Sequence, residues 1–162
     1  MIGDPTSPRA VVRCMRLRPD ARIPRAAHSG DAGLDLFAVD ACAIPPGEWR
    51  RVGTGLAVEI PVGMEGQVRP RSGLAWRHGL TVLNAPGTVD CGYRGEVMVI
   101  LINHGKREFL VEPGMRIAQM VIQTVAPARV ECVENLGPSS RGGGGFGSTG
   151  VAESKFPPED HS

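Results

Sequence analysis

Residues 52–60 read Val-Gly-Thr-Gly-Leu-Ala-Val-Glu-Ile and are followed at once by Pro61-Val62-Gly63. Every second position carries an apolar side chain or a small hydroxyl: Val52, Thr54, Leu56, Val58 and Ile60. This period of two is typical of a β-strand with one buried face. Proline and glycine then end the strand, because neither supports a regular ladder. A chain that contains several such segments is predicted to form a sheet protein.

Short segments of the same kind recur along the chain. They are residues 11–17, 34–39, 65–68, 81–83, 109–111, 117–122 and 129–133. The 22 Gly and 14 Pro among 162 residues favour short strands joined by turns. Residues 97–102, Val-Met-Val-Ile-Leu-Ile, have no polar face, so we expect both faces to be covered, inside one sandwich or at a subunit interface. The sequence therefore predicts an all-β chain.

One short helix is predicted at residues 73–78. Ser72 is a suitable N-cap for it, and Gly79 can adopt the left-handed conformation that closes a helix. Residues 139–150 are too rich in glycine to hold a fixed shape in isolation. We therefore expect a β domain at 1–138, a C-terminal arm at 139–150 and a disordered tail at 151–162.

The charge balance and the termini exclude several classes of protein. The 18 Lys and Arg against 17 Asp and Glu give a net charge of +1, too small for a protein that coats nucleic acid. The N-terminus has no signal-peptide core, and the longest apolar run is far shorter than the roughly 20 residues of a membrane span. The four cysteines form no Cys-x-x-Cys pair and are expected to be free thiols. We predict a cytoplasmic protein without a membrane or nucleic-acid partner.

Five segments carry the residues of chemical interest. They read Ala-Gly-Leu-Asp-Leu at 32–36, Pro-Arg-Ser-Gly-Leu-Ala at 70–75, Gly-Thr-Val-Asp-Cys-Gly-Tyr-Arg-Gly-Glu at 87–96, Gly-Met-Arg-Ile-Ala-Gln at 114–119, and Arg-Gly-Gly-Gly-Gly-Phe-Gly-Ser-Thr-Gly at 141–150. Taken singly, most have an ordinary structural interpretation: Asp90 with Gly92 is a turn element, and residues 142–145 resemble a linker. No Lys follows any glycine run as in a Walker-type phosphate loop, which excludes that interpretation.

Taken together, the segments can form a site for a nucleotide. Ser72 offers a hydroxyl, and the amides of Gly73 and Leu74 face an anion at the helix N-terminus. Arg71 and Arg141 can each donate two hydrogen bonds to phosphate oxygens. The arm adds three backbone amides and one aromatic ring that can stack on a nucleobase: those of Gly147, Ser148, Thr149 and Phe146. Triphosphate and base would then share one site.

The five segments resemble, in order and approximate spacing, the five motifs of the trimeric dUTP pyrophosphatase (dUTPase) family. The resemblance runs from Ala32 to Gly150, nearly three quarters of the chain. It implies a dUTPase-like β-sandwich or jelly-roll (β-clip) subunit with one short helix and a flexible C-terminal arm. It also implies a homotrimer with active sites at subunit junctions, and hydrolysis of dUTP to dUMP and pyrophosphate, which lowers dUTP and supplies dUMP for dTMP synthesis.

The resemblance also implies catalytic roles. Asp90 would be the base that activates a water for in-line attack at the α-phosphorus, for which a carboxylate ionised at neutral pH is suited. Gln119 would position that water or the α-phosphate. Mg²⁺ would be bound by the triphosphate, and Asp35 would hold it through water without ligating it directly, because Mg²⁺ keeps several waters.

Base and sugar selection are implied for the hairpin at residues 84–98. Its backbone, with the Asn84 amide, would pair with the uracil edge, and a tight wall would reject the thymine methyl; the substrate-binding residues here include Gly87, Thr88 and Val89. Cytosine inverts the donor and acceptor at position 4 and would leave buried groups unpaired. Tyr93 would lie under the deoxyribose and exclude a 2′-hydroxyl, and Met98 is either an apolar contact beneath the nucleotide or a core residue.

The chain departs from the family pattern at three places. Met115 replaces a frequent Asp, Cys91 and Gly92 replace acidic or polar residues, and Gly143 stands where an acidic residue is common. None of these positions is assigned to catalysis. Two alternatives remain: a dCTP deaminase on the same fold, which would need a catalytic Glu in the hairpin, and a non-catalytic nucleotide-binding module.

Overall fold

The structure of the chain is a computed structural model that describes residues 10–144. Over this range it contains ten strands and one helix. In chain order they are β1 (Arg13–Arg16), β2 (Gly33–Phe37), β3 (Cys42–Ile44), β4 (Trp49–Glu59), β5 (Met64–Arg69), α1 (Ser72–His78), β6 (Leu80–Val82), β7 (Gly87–Asp90), β8 (Glu96–Asn103), β9 (Phe109–Val111) and β10 (Arg116–Thr124). The predicted all-β class is confirmed.

The strands form two antiparallel four-stranded sheets and one two-stranded ribbon. The first sheet has the order β1-β4-β8-β6, the second has β2-β10-β5-β7, and the ribbon pairs β3 with β9. One hydrophobic cluster contains side chains from all three, including the fully buried Leu36, Leu101 and Val111. The fold is therefore the predicted β-sandwich.

The strand predicted at residues 52–60 forms as part of β4. Residues 52–58 are all buried, so the strand is covered more completely than its alternation of side chains predicts. Small residues make this second covered face possible, since a Cβ added at Gly55 would lie 3.0 Å from the Cβ of Ala21. Gly55 also has φ of 66°, within an irregular stretch of pairing with β8 between Gly53 and Ala57. An L-residue with a side chain would be strained at this position.

Strand 97–102 is not covered on both faces inside one sandwich, the first of its two predicted alternatives, and the second, a subunit interface, stays a prediction. In β8 the side chains alternate, with Val97, Val99 and Leu101 buried and Met98 36% exposed. Ile100 and Ile102, on the same face as Met98, are only partly buried. The all-apolar run therefore has an uncovered apolar face in one chain.

Helix α1 forms where it was predicted, but its N-cap is Arg71 and not Ser72. The Arg71 carbonyl accepts from the amides of Leu74 and Ala75, both at 3.1 Å, so hydrogen bonding begins one residue earlier than expected. No side-chain cap bond is made. Gly79 closes the helix as predicted, with φ of 67° and its amide donating to the Ala75 carbonyl at 2.9 Å.

Residues 129–133 do not form the predicted strand. All five are exposed and have no strand partner among residues 10–144, so their alternating pattern packs against no sheet there. Conversely, the prediction missed strands β3 and β7, which are short and contain small or polar residues. The described residues divide into two compact units, one ending at Pro127 and one beginning at Ala128. The predicted arm at 139–150 belongs to the second unit.

The four cysteines are free, as expected: Cys14, Cys42, Cys91 and Cys132. Burial raises the pKa of the Cys14 thiol. The pKa of the Cys42 thiol is also raised, and burial is the largest of its causes. These two thiols are therefore protonated at neutral pH and are weak nucleophiles.

Within residues 10–144 there is no helix long and apolar enough to cross a bilayer.

Candidate active site

An open pocket of about 380 Å³ lies beside the start of α1, on the second sheet. Five of the predicted site residues line it: Asp35, Arg71, Ser72, Gly73 and Gln119. They come from three of the five motifs, which are far apart in the sequence. The structure therefore confirms that these motifs meet at one surface.

Strand register explains how distant motifs meet. Gln119 of β10 lies opposite Asp35 of β2 on one side and opposite Arg69 of β5 on the other. Residues opposite one another in antiparallel strands project from the same face of a sheet. Leu36 and Met120, the next residues of β2 and β10, are buried in the core, so the row Asp35–Gln119–Arg69 faces away from it.

Asp35 is the electrostatic centre of the pocket. Its side chain is largely buried, and its two oxygens pair with two guanidinium groups: Oδ1 with Arg71 Nε at 3.1 Å and Oδ2 with Arg116 Nη1 at 3.3 Å. One carboxylate against two guanidinium groups leaves a net positive charge of about one. The cluster therefore holds Arg71 in place while keeping the pocket attractive to an anion.

Gln119 is fixed through one end of its carboxamide. Its Nε2 donates to the Pro70 carbonyl at 2.9 Å, which ties β10 to the turn before α1. An amide with its nitrogen engaged keeps an oxygen that accepts hydrogen bonds. Gln119 can therefore accept a hydrogen bond from a water in the pocket, as its predicted role requires.

The start of α1 differs in detail from the predicted phosphate seat. The Leu74 amide already donates to the Arg71 carbonyl, so it is not free for a ligand as predicted. Ser72 is the first helical residue, and its hydroxyl does not cap the helix. The exposed Ser72 and Gly73 line the pocket and are the groups of this turn that can meet a phosphate.

The predicted uracil-binding hairpin at residues 84–98 is not a paired hairpin: β7 belongs to the second sheet, whereas β8 belongs to the first and pairs with β4 and β6. We keep the word hairpin only as the name of residues 84–98. Of its residues, Gly87 and Val89 are buried, whereas Asn84, Thr88 and Asp90 are exposed. Strand β7 is the last strand of the sheet and pairs only with β5, with Asp90 opposite Glu65. None of these hairpin residues lines the pocket that contains Asp35 and Gln119.

Hydrogen bonds give the tip of the hairpin a defined shape. The Tyr93 amide donates to the Asp90 carbonyl at 3.0 Å, and Arg94 Nη1 donates to the carbonyls of Cys91 and Tyr93 at 2.7 and 2.8 Å. The Tyr93 hydroxyl donates to the Glu96 carbonyl at 2.9 Å. The ring is 45% exposed, so Tyr93 is anchored at its hydroxyl and open on its surface.

Within one chain, Asp90 and Gln119 are too far apart to act on the same water. Asp90 is opposite Glu65 and Gln119 is opposite Arg69, four residues along β5, and the two residues lie on opposite sides of that strand. With strand rises of about 3.3 Å and strand spacings of about 4.8 Å, their Cα atoms are roughly 16 Å apart. A general base must lie about 3 Å from the oxygen whose proton it takes. One chain therefore does not assemble the complete predicted site.

The remaining predicted residues belong to the C-terminal arm. Arg141 is exposed in the unit that begins at Ala128, and its Nε donates to the Gly144 carbonyl at 2.9 Å. The other arm residues lie outside the described range: Phe146, Gly147, Ser148 and Thr149. Their predicted roles remain predictions.

Sequence reasoning assigned no role to three residues of this region. Arg116 was noticed in its motif, but its ion pair with Asp35 was not predicted. Arg69 and Asp31 line the pocket itself, whereas Arg116 lines a second cavity that shares Asp35 with it. Their signals were positional: Arg69 immediately precedes Pro-Arg-Ser-Gly, and Asp31 immediately precedes Ala-Gly-Leu-Asp-Leu.

The side chains around the pocket decide whether it can hold Mg²⁺. The described residues include no group of three or more His, Cys, Asp or Glu side chains that could hold a metal ion by themselves. Both oxygens of Asp35 accept from arginines, yet each carboxylate oxygen has a second lone pair. The donor set therefore fits a cation bound chiefly by phosphate oxygens, with Asp35 reached through water.

Comparison of the structure with solved structures identifies the class of protein. The fold matches a dUTPase of Staphylococcus bacteriophage 80alpha, a G164S mutant solved with dUpNHpp, with a TM-score of 0.81 and 28% identity. The match covers 87% of this chain and 99% of the phage chain. The architecture is therefore that of a dUTPase-type β-sandwich.

Sequence comparison identifies the family. The dUTPase family model matches residues 19–150, and the chain belongs to the dUTPase family. It is 60% identical over 131 residues to a deoxyuridine 5′-triphosphate nucleotidohydrolase of Clostridium acetobutylicum, covering 81% of this chain and 90% of that protein. It is also 53% identical over 139 residues to the protein of that name from Clostridioides difficile, covering 86% and 97% of the two chains.

Proposed function

We propose that the protein hydrolyses dUTP to dUMP and pyrophosphate as a homotrimer in the cytoplasm, with active sites built from more than one chain. The observation that carries this proposal is the pocket in which three motifs bring Asp35, Arg71 and Gln119 together, with Arg116 paired to the same Asp35 carboxylate. Relatives that share more than half of their residues with this chain bear the name of this activity.

The reaction is a displacement at phosphorus by water. Asp90 takes a proton from the water while the water oxygen attacks the α-phosphorus. The attack is in line with the oxygen that leaves, and the bond between the α-phosphorus and the pyrophosphate oxygen breaks. Asp90 is exposed at the end of β7, where a partner chain can present a substrate to it. Gln119 accepts a hydrogen bond from the same water and orients it.

The triphosphate occupies the pocket beside α1. Arg71 has Nε on Asp35, which leaves its terminal nitrogens to bind phosphate oxygens, and Ser72 and Gly73 add neutral donors. Asp35 would hold a triphosphate-bound Mg²⁺ through water. When bound, Mg²⁺ neutralises charge on the phosphate oxygens and fixes the conformation of the triphosphate.

Selection of the base and the sugar is assigned to the hairpin. The Asn84 amide and the backbone of residues 87–89 read the uracil edge, and Met98 gives a flexible apolar contact. Tyr93 is held by its hydroxyl bond to Glu96, so its ring forms a fixed wall against a 2′-hydroxyl. A fixed wall discriminates because it cannot move aside at low cost.

Two observations support the trimer. The first is the separation of roughly 16 Å between Asp90 and Gln119 within one chain. The second is the outward face of β8, where Met98, Ile100 and Ile102 form an apolar stripe that one chain leaves partly uncovered. Association of three chains covers this stripe and brings the hairpin of one chain to the pocket of another.

The substrate is tested by pyrophosphate release in the presence of Mg²⁺ from dUTP, dCTP, dTTP and UTP. We expect rapid release from dUTP and at least about 100-fold slower release from the other three, because each would leave a buried polar group unpaired or collide with the site. Ammonia released from dCTP would indicate the deaminase instead. Tight binding of dUTP without turnover would indicate a nucleotide-binding module.

The arm is expected to be essential for turnover but not for folding. A chain ending at Leu136 lacks the residues assigned to stacking and phosphate binding, yet it keeps every strand. We expect its melting temperature and oligomeric state to be unchanged and its kcat/KM to fall by about 100-fold or more, the order lost when donors to a phosphate are removed. Unchanged kinetics would show that residues 137–162 have no role in the reaction.

A further inference from the structure

The carboxamide of Gln119 lies in a space that exists only because residue 33 is glycine. Gly33 is the first residue of β2, and it lies opposite Val121 of β10. A Cβ added to Gly33 would overlap Gln119 Oε1 and would lie 2.9 Å from Gln119 Cδ and 3.3 Å from its Cβ. Real Cβ atoms do not approach other heavy atoms so closely, so an added methyl would displace the carboxamide.

Backbone geometry does not explain a glycine at this position. Gly33 is not among the glycines with positive φ, and its place in a regular strand is open to any L-residue. Gly33 also lines the pocket itself. The remaining physical reason for glycine is the close approach of the Gln119 side chain.

Two contacts therefore fix the Gln119 carboxamide. Its Nε2 is bonded to the Pro70 carbonyl, and its Oε1 lies over Gly33. If residue 33 had a methyl group, the carboxamide would have to rotate or leave Pro70, and in either case the acceptor oxygen would move. A shift of about 1 Å in a group that orients a reactant can cost roughly 100-fold in rate.

We propose that Gly33 is a positioning residue for the reaction: it leaves the space that holds the Gln119 oxygen where the attacking water is oriented. This inference rests on the proposed role of Gln119. It adds to that role a residue that has no side chain of its own.

The test is a double-mutant cycle of Gly33→Ala and Gln119→Ala, measured as kcat and KM for dUTP. We expect each single variant to lower kcat by roughly 10- to 100-fold with a smaller change in KM. In the Gln119→Ala background, Gly33→Ala is expected to cause no further loss, because the atoms that the methyl displaces are gone.

Gly66→Ala is a matched control on the same sheet. A Cβ at Gly66 would lie 2.9 Å from Ile60 Cδ1 and 3.1 Å from Met120 Sδ, on the core side and away from Gln119. We expect this variant to lower the melting temperature and leave kcat unchanged. Gly33→Ala is expected to lower kcat and leave the melting temperature unchanged. The pair of variants therefore distinguishes a loss of positioning from a general effect of crowding the sheet.

The outcomes separate this inference from the proposed function. Full kcat in Gly33→Ala, or an equal further loss in the Gln119→Ala background, would overturn the inference alone. Full activity in Gln119→Ala would overturn both the inference and the role of Gln119. If Gly33→Ala does not fold, the double variant must fold as stably as Gln119→Ala; failure of that rescue would show that the methyl meets something other than Gln119.

Discussion

Replacing Asp90 with Asn is expected to remove nearly all hydrolysis and leave nucleotide binding intact. The amide has the shape of the carboxylate but cannot accept the proton of the attacking water, and loss of a general base costs roughly 10²- to 10⁴-fold. Asp90 is exposed, and no side chain of the described residues forms a hydrogen bond or ion pair with its carboxylate. The substitution should therefore not disturb the fold.

Two measurements check this prediction. The rate of pyrophosphate release gives the loss of turnover, and calorimetric titration with dUTP gives the affinity, which should remain within about threefold because no phosphate contact is removed. Glu112→Gln serves as a control, since it makes the same change of carboxylate to amide at an exposed residue that has no role in the proposed site. Near-normal turnover in Asp90→Asn would show that another group activates the water.

The second large effect is recovery of activity when two inactive variants share one trimer. Asp90→Asn lacks the base but keeps the pocket, whereas Gln119→Ala lacks the water-orienting group but keeps the hairpin. If each active site takes Asp90 from one chain and Gln119 from another, mixed trimers contain sites in which both groups are native. In any trimer that contains both variants, one site in three is native, so about a third of the parent activity should return.

Coexpression of the two variants with different affinity tags, followed by purification on both tags, gives the mixed trimers. A mixture of trimers assembled separately is the control and should stay inactive. A trimer that carries both substitutions on every chain gives the background rate. If mixed trimers show only that background, Asp90 and Gln119 of one site belong to the same chain, and the separation inferred from the strand register does not apply to the assembly.

The sheet architecture could be predicted because it depends on local patterns. The alternation at residues 52–60 and the turn residues after it are sufficient to define β4, and Gly79 alone indicates the end of α1. Strands such as β3 could not be predicted, because three residues with little pattern become a strand only when β9 pairs with them. The prediction of a strand at residues 129–133 was wrong for the opposite reason. This segment has the alternating pattern, but no strand of residues 10–144 pairs with it.

Part of the lining of the pocket could be predicted from the sequence, but its geometry could not. Motif resemblance selected Asp35, Arg71 and Gln119, and the register of β2, β10 and β5 brings them to one pocket. The ion pair between Arg116 and Asp35 depends on that register, so no local pattern could indicate it. The same holds for the hydrogen bond from Gln119 to Pro70, which joins residues 49 positions apart.

The four-residue offset between Asp90 and Gln119 along β5 also bears on how the sequence can evolve. Residues of the hairpin and of the pocket that meet only across chains would be constrained to change together. In an alignment of homologues they would appear as coevolving pairs that no single subunit brings into contact. Contacts inferred from coevolution between the hairpin and the pocket would therefore not fit the fold of one monomer. The pairs that do not fit would identify residues at the interface between subunits.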